Sequence, residues 1–219
     1  MSLVTIKLRQ LDVPSGQRLL IHDVNWSEFE LILDELGENR SSRIAYIKNV
    51  LEIRMPLPEH EREKSILGDI VKILLDELEM DCECFGSTTF KRRDMNAGLE
   101  PDECFYIQNH RSVIGRNRLD LAIDPPPDLA IEVDVTSKTQ TDSYVTLGVP
   151  ELWVYEEGSL KIYVLQSGQY QSVFVSPTFP SLPVLVLVQV VVEESGTIGR
   201  SPALRALRQK VRQILRDLT

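Results

Sequence analysis

The segment Asp124-Pro125-Pro126-Pro127-Asp128-Leu129-Ala130-Ile131-Glu132-Val133-Asp134-Val135 constrains this chain more than any other. Three consecutive prolines cannot continue a helix or a central strand. The run from Leu129 to Val135 is almost continuously apolar, the pattern of a central strand covered on both faces. Yet acids recur within it, and Asp128, Glu132 and Asp134 share one face because strand side chains alternate with period two. A carboxylate buried in such a strand loses its hydration and needs a compensating partner. The strand therefore predicts either a cation site or buried ion pairs.

The rest of the chain supplies helices and strands to cover it. MSLVTIKLRQ alternates Val4, Ile6 and Leu8 with Thr5, Lys7 and Arg9, which predicts an opening strand and not a signal peptide. Ser27 with Glu30 three residues on predicts a capped helix carrying Leu31, Leu33 and Leu36 and closed by Gly37. Residues 43–47 and 50–53 read as a hairpin around Lys48-Asn49, and Pro56 and Pro58 precede a helix over about Glu59 to Leu78. Cys82, Cys84, Thr88 and Phe90 suggest strand or extended loop, and residues 100–107 read as a turn entering a strand. Ser137 to Leu147 predicts a helix closed by Gly148, with strands after it over 151–155, 160–165 and 170–175. Ser201-Pro202 starts a last helix with Leu204, Leu207, Val211, Ile214 and Leu218 as its apolar stripe. This order predicts an α/β (mixed α+β) sandwich around a mixed sheet. A chain of 219 residues is short for two full domains. We read one domain over 1–199, with its core at about 40–175, and a basic amphipathic helix over 200–219 appended to it.

Charge narrows the function. Asp plus Glu number 33 against 24 Lys plus Arg, for a net charge of −9. From Arg200 onward six basic residues face one acid, so the tail carries +5 and the body −14. An acidic body repels phosphate backbones, which argues against a passive basic nucleic-acid binder but not against an enzyme working through bound cations. Arg205, Arg208, Arg212 and Arg216 form one side of the last helix, able to meet DNA phosphates or to pair with the acidic body of its own or a neighbouring subunit. The longest apolar run, Leu182 to Val192, is too short to span a bilayer. With no export signal and only Cys82, Cys84 and Cys104, a cytoplasmic location is expected. Cys82-x-Cys84 with Cys104 and His110 departs from zinc-ligand spacing, and alternate strand positions in a core account for the cysteines better.

The carboxylates carry the chemistry. Asp102 opens the strand-like segment that precedes the Asp128–Val135 strand. Two carboxylates on adjacent strand ends can hold a hard cation such as Mg²⁺. Such a cation polarises a phosphoryl oxygen and acidifies a water, as phosphodiester hydrolysis requires. The same acids can also be structural, Asp128 capping the strand after the prolines and Glu132 pairing with an Arg or Lys.

Three runs together resemble the Uma-type restriction endonuclease family of the PD-(D/E)xK nuclease superfamily: Glu100-Pro101-Asp102, Pro126-Pro127-Asp128-Leu129-Ala130-Ile131-Glu132-Val133, and Tyr144-x-x-x-Gly148-Val149-Pro150-Glu151-Leu152-Trp153-Val154-Tyr155. The resemblance covers roughly residues 40 to 175, including the helix after His60. It implies a restriction-endonuclease-like core, a mixed β-sheet flanked by helices, and Mg²⁺-dependent hydrolysis of DNA, with Mn²⁺ as a substitute. Asp102 matches the first acid and Glu132 the second, with the backbone carbonyl of Val133 completing the metal shell, and His60 falls near the site. Cutting both strands takes two sites, which fits a homodimer.

One position departs from the pattern. A strict motif places Lys two residues after Glu132, and here Asp134 stands there. Members of the family usually carry a relocated Lys four residues before the Tyr, which here is Gln140, while Lys138 lies half a turn earlier. Lys138 could orient water or stabilise transition-state charge, or be a solvated surface residue. Asp134 could hold a second cation or neutralise a basic group. Two functions are consistent with these residues: an endonuclease with Asp102 and Glu132 as ligands and Lys138 or Gln140 near the attacking water, or a catalytically degenerate nuclease fold that binds nucleic acid or protein. A third reading leaves all the acids structural.

Overall fold

The computed structural model describes residues 8–37, 40–134 and 137–218. Helix α1 (Trp26–Leu36) comes after strand β1 (Arg18–Ile21) and precedes the hairpin β2 (Arg43–Ile47) and β3 (Val50–Arg54). Helix α2 (Pro58–Glu77) leads to β4 (Glu83–Cys84), β5 (Phe90–Arg92), β6 (Ala97–Leu99) and β7 (Glu103–Tyr106). A single helical turn α3 (His110–Val113) precedes β8 (Leu129–Val133), α4 (Lys138–Leu147) and the strands β9 (Glu151–Glu156), β10 (Ser159–Gln166) and β11 (Gln169–Val173). Helices α5 (Val184–Thr197) and α6 (Arg200–Asp217) close the chain.

The strands form two sheets, ordered β1-β3-β2-β6-β5 and β11-β10-β9-β8-β7-β4. The second is mixed, since β8 runs parallel to β9 and antiparallel to β7. Helix α4, between β8 and β9, makes the crossover that this parallel pairing demands. Strand β8 is buried along its whole length, as the run Leu129–Val133 predicts. Its odd positions, Leu129, Ile131 and Val133, pack with Ile66, Ile70 and Leu74 of α2 and with Leu187 and Leu207 of α5 and α6. On the opposite face Ala130 packs with Tyr144 and Leu147 of α4 and with Ala45, Ala97 and Leu99 of the first sheet. Glu132 belongs to this second face, between α4 and the other sheet. The first sheet's far side is sealed by α1, where Phe29 stacks on Tyr46 with ring centroids 4.3 Å apart. Gly98 of β6 makes that possible, because a Cβ there would lie 2.7 Å from the Phe29 ring.

The structure also corrects several expectations. The start of α1 is capped by Asn25, not Ser27: the Glu28 N–H donates to Asn25 at 3.1 Å and the Asn25 N–H to the Glu28 carboxylate at 2.8 Å. Both registers satisfy the capping-box spacing, and the one chosen lets Trp26 pack edge-on against Phe29 and Tyr46. The alternation from Val4 to Lys7 lies outside the described residues, and Leu8–Gln10 is a 3₁₀ turn, not strand. The apolar run Leu182–Val192 contributes most of α5, an element with no polar stripe to announce it. Among the cysteines only Cys104 is buried; Cys84 is exposed. In α6 the buried residues are Ala203, Leu207 and Val211, while Leu218 lies on the surface.

Arg200, Arg208 and Arg212 of α6 face the body of their own chain, while Arg205 and Arg216 of the predicted stripe are exposed. Arg208 donates to Glu77 at 2.7 Å and to Asp76 at 3.1 Å, Arg212 meets Glu77 at 2.7 Å, and Arg200 pairs with Asp69. The tail's positive charge thus neutralises one side of α2, and α6 is part of the main core.

Candidate functional site

Asp102 and Glu132 meet across neighbouring antiparallel strands. β7 and β8 pair Glu103 with Ile131, and continuing that register by one residue sets Asp102 opposite Glu132. Both are buried, Glu132 completely and Asp102 to 4% exposure. The Val133 N–H donates to Asp102 Oδ2 at 2.9 Å, which fixes that carboxylate against the end of β8. Among the described residues no cluster of three or more His, Cys, Asp or Glu forms a metal centre. The donors gathered here are two carboxylates and a backbone carbonyl.

These oxygens converge on a cation supplied by the other sheet. Arg54, the last residue of β3, donates to Glu132 Oε2 at 3.0 Å and to the carbonyls of Val133 and Asp134 at 3.3 Å each. It also lies 3.7 Å from Asp102 Oδ1. Arg43, its cross-strand neighbour on β2, is 3.7 Å from the same Asp102 oxygen and 3.1 Å from Glu61 on α2. Burial by itself would lower the Arg54 pKa; Glu132 and Asp102 more than reverse this, and it is raised. Neither arginine is visible as a site residue in the sequence. The usable signal is their symmetry: Arg43 and Arg54 stand at paired ends of one hairpin.

Glu132 is held by two further groups. The Tyr144 hydroxyl of α4 donates to its other oxygen, and the side chain of Gln140 hydrogen-bonds it as well. Burial first, and the charge of Asp102 second, raise the Glu132 carboxyl pKa, while Arg54, Tyr144 and Gln140 pull it down. Burial and the adjacent Glu132 raise the Tyr144 hydroxyl, which stays protonated and donates. Gln140 is 2% exposed, positioned by its N–H to the Ser137 N-cap hydroxyl at 3.1 Å, and its Oε1 is buried without a hydrogen-bond partner. The Lys138 side chain lies outside the described residues.

The other predicted acids go elsewhere. Asp128 accepts from the Ile107 N–H at 2.7 Å, the Asn109 N–H at 3.1 Å and the Asn109 amide at 2.8 Å, so it organises the loop after β7. Asp134 has a left-handed φ of 58°, which breaks the strand alternation that would have aligned it with Glu132. Its carboxylate meets His60 Nε2 at 2.6 Å. Glu100 pairs with Arg40 and lines, with Ser87, Thr88, Thr89 and Lys91, a cavity of about 480 Å³.

Comparison with known proteins bears on family and fold. The family model Uma2, described as "putative restriction endonuclease", matches residues 26–193. Among solved structures, the chain is similar to the crystal structure of a "putative nuclease belonging to DUF820" from Anabaena variabilis. The TM-score is 0.53 at 18% identity, covering 76% of this chain and 97% of that one. At that identity the likeness speaks to the fold, which is restriction-endonuclease-like. The comparison with curated proteins gives no match.

Proposed function

Since this chain belongs to the Uma2 family, whose model spans residues 26–193, we propose that it is a metal-dependent endonuclease that hydrolyses DNA phosphodiester bonds. The observation that carries this reading is the convergence of Asp102, Glu132 and the Val133 carbonyl on one positive charge, the Arg54 guanidinium. A set of hard oxygens already gathered around a cation fits Mg²⁺ or Mn²⁺, and these three groups would hold it. Bound there, a divalent cation supplies an acidified water and offsets charge on a phosphoryl oxygen.

The remaining work falls to the chain's own side chains. Tyr144 and the Val133 N–H fix Glu132 and Asp102, so the donor set is preorganised. We assign Gln140 to orienting the attacking water, its unpartnered Oε1 being the acceptor, and Lys138, on the same turn of α4, to offsetting transition-state charge. The hydroxyls and cations of the cavity beside Glu100 suit phosphate oxygens of the bound strand. A homodimer accompanies this reading, because a double-strand cut needs two such sites.

Incubating supercoiled plasmid with the chain and Mg²⁺ or Mn²⁺ tests it. Nicking by the wild type, reduced at least a hundredfold in Asp102→Ala and in Glu132→Ala, is the expected result. Cleavage that persists in either variant removes these residues from the site. One observation favours a second reading, a nuclease fold that binds without cutting: the residue at the lysine position of the motif is Asp134, engaged by His60. A gel shift without metal-dependent cleavage selects that reading.

A further inference from the structure

The position on which the acid pair converges is filled from within the chain. Arg54 contacts all three groups assigned above to a divalent cation, through Glu132 Oε2 at 3.0 Å, the Val133 carbonyl at 3.3 Å and Asp102 Oδ1 at 3.7 Å. Mg²⁺ binds oxygen at roughly 2.0–2.1 Å, so a cation on those atoms would lie within a few ångströms of the guanidinium, in a buried site where like charges repel strongly. Counting charges leads to the same conclusion. Asp102, Glu132 and Glu61 are already matched by Arg54 and Arg43 to a net −1, and a dication added to that set turns it to +1.

The sheet sets Arg54 among other cations. Arg54 pairs in register with Arg43 on one side and with Arg18 of β1 on the other, which places three arginines in one row on one face. Directly opposed like charges destabilise a sheet. Two members of this row, Arg43 and Arg54, are neutralised by Asp102 and Glu132. Arg54 also ends its strand, and residues 55–57 after it have no regular structure, so the side chain sits at the end of the ladder and not in its middle.

We propose that Arg54 is a built-in competitor for the cation position, holding the acid pair in the free chain and leaving it when a divalent cation binds, its charge then turned toward the phosphate. This inference rests on the reading of Asp102 and Glu132 as cation ligands. It makes Arg54 the basic residue of the site, supplied by the opposite sheet where Asp134 stands in the motif's lysine position. The free chain binds divalent cations weakly, because each binding event breaks the Arg54 pairings.

Calorimetric titration of Mn²⁺ into the wild type, Arg54→Met and Arg54→Lys tests this without any cleavage readout. Arg54→Met binds Mn²⁺ at least tenfold more tightly than the wild type, and Arg54→Lys falls between, since an ammonium keeps the charge but lacks the fixed, planar fork of a guanidinium. A wild type that binds as tightly as Arg54→Met, or more tightly, overturns the competition while leaving the cation ligands in place. No binding by any of the three overturns both readings. Should Arg54→Met fail to give a cooperative thermal melt, Arg54→Lys decides alone, a gain of about threefold being expected and an unchanged or weaker affinity overturning the proposal.

Discussion

His60 Nε2 lies 2.6 Å from a carboxylate oxygen of Asp134, joining the first turn of α2 to the residue just beyond β8. Asp134 occupies the position where a strict nuclease motif carries lysine. Its φ of 58° turns the side chain out of the strand alternation, toward α2. A lysine placed at this position would inherit that backbone and face a histidine instead of the acid pair. Asp134→Lys is therefore expected to give no gain in cleavage. It also loses the partly exposed contact with His60, worth about 0–1 kcal/mol, and adds a longer side chain at a left-handed position. A net loss of about 1 kcal/mol in urea denaturation, with cleavage no faster than wild type, is the expected result.

The Tyr144 hydroxyl donates to Glu132, a role that the sequence motif contains without explaining. Tyr144→Phe keeps the ring in the core beside Leu147 and Leu152 and removes only the donor to Glu132. Hydrogen bonds to charged groups contribute roughly 1.5–3 kcal/mol, and Glu132 keeps Arg54 and Gln140, so the loss should lie near the lower end, about 1.5 kcal/mol. Cleavage should fall further than stability does, because Glu132 is then free to rotate. Parallel denaturation and nicking assays on the one variant check both parts.

Glu151 is a buried acid of a different kind, and it separates structure from site. At 2% exposure it accepts from Trp153 Nε1 and Ser176 Oγ at 2.6 Å each, and from the Thr178 N–H and hydroxyl at 3.0 and 2.6 Å. These bonds tie the segment after β11 to β9, where Trp153 packs edge-on against Phe179. Glu151→Ala strands two buried donors, on Trp153 and Ser176, and two half-buried ones on Thr178, and should cost about 3 kcal/mol, by analogy with removing one partner of a buried charged pair. Mn²⁺ affinity measured below the melting temperature should be unchanged, since no Glu151 partner belongs to the Asp102–Glu132 pair.

How much of this protein is legible in its sequence depends on the range of its interactions. The hairpin around Lys48-Asn49, the helix between Ser137 and Gly148 and the β9–β10 turn at Glu157-Gly158 are written in neighbouring residues, and the structure has all three. Asp102 and Glu132 are legible because their strands are, and a register one residue longer brings them face to face. Helix α5 is hidden because Val184, Val186, Val188 and Val190 leave no polar face to set a period, and β-branched residues weigh toward strand. Arg54 is hidden for another reason. It reaches Glu132 across 78 residues and from a different sheet. Alternation along β3 orients Arg54 within its own sheet but carries no information on how two sheets face each other.

The pairing of α6 with α2 sets the response to acid. Hydrogen bonds from Arg212 and then Arg208 hold the Glu77 carboxyl below the ordinary glutamate value of 4.5. A carboxyl whose pKa is depressed in the folded state stabilises it fully above the unfolded value, and that contribution disappears as pH falls through the lower folded value. The wild type should accordingly lose thermal stability from about pH 4.5 downward. Glu77→Gln should melt lower than wild type at pH 7 and lose less over the same acid range. Raising salt at pH 7 should narrow the gap between the two, because Arg208 and Arg212 are 36% and 59% exposed and their attraction to Glu77 is open to screening. The apolar side of the same contact behaves differently. Leu207→Ala empties a buried position packed within the core cluster that includes α2 and α5, should cost about 2–5 kcal/mol, and should do so at every pH and salt concentration. Thermal melts of the two variants across pH 3–7 separate the charged contribution from the packed one, and a pH-independent Glu77→Gln difference would show that the arginine pairs contribute nothing to the fold.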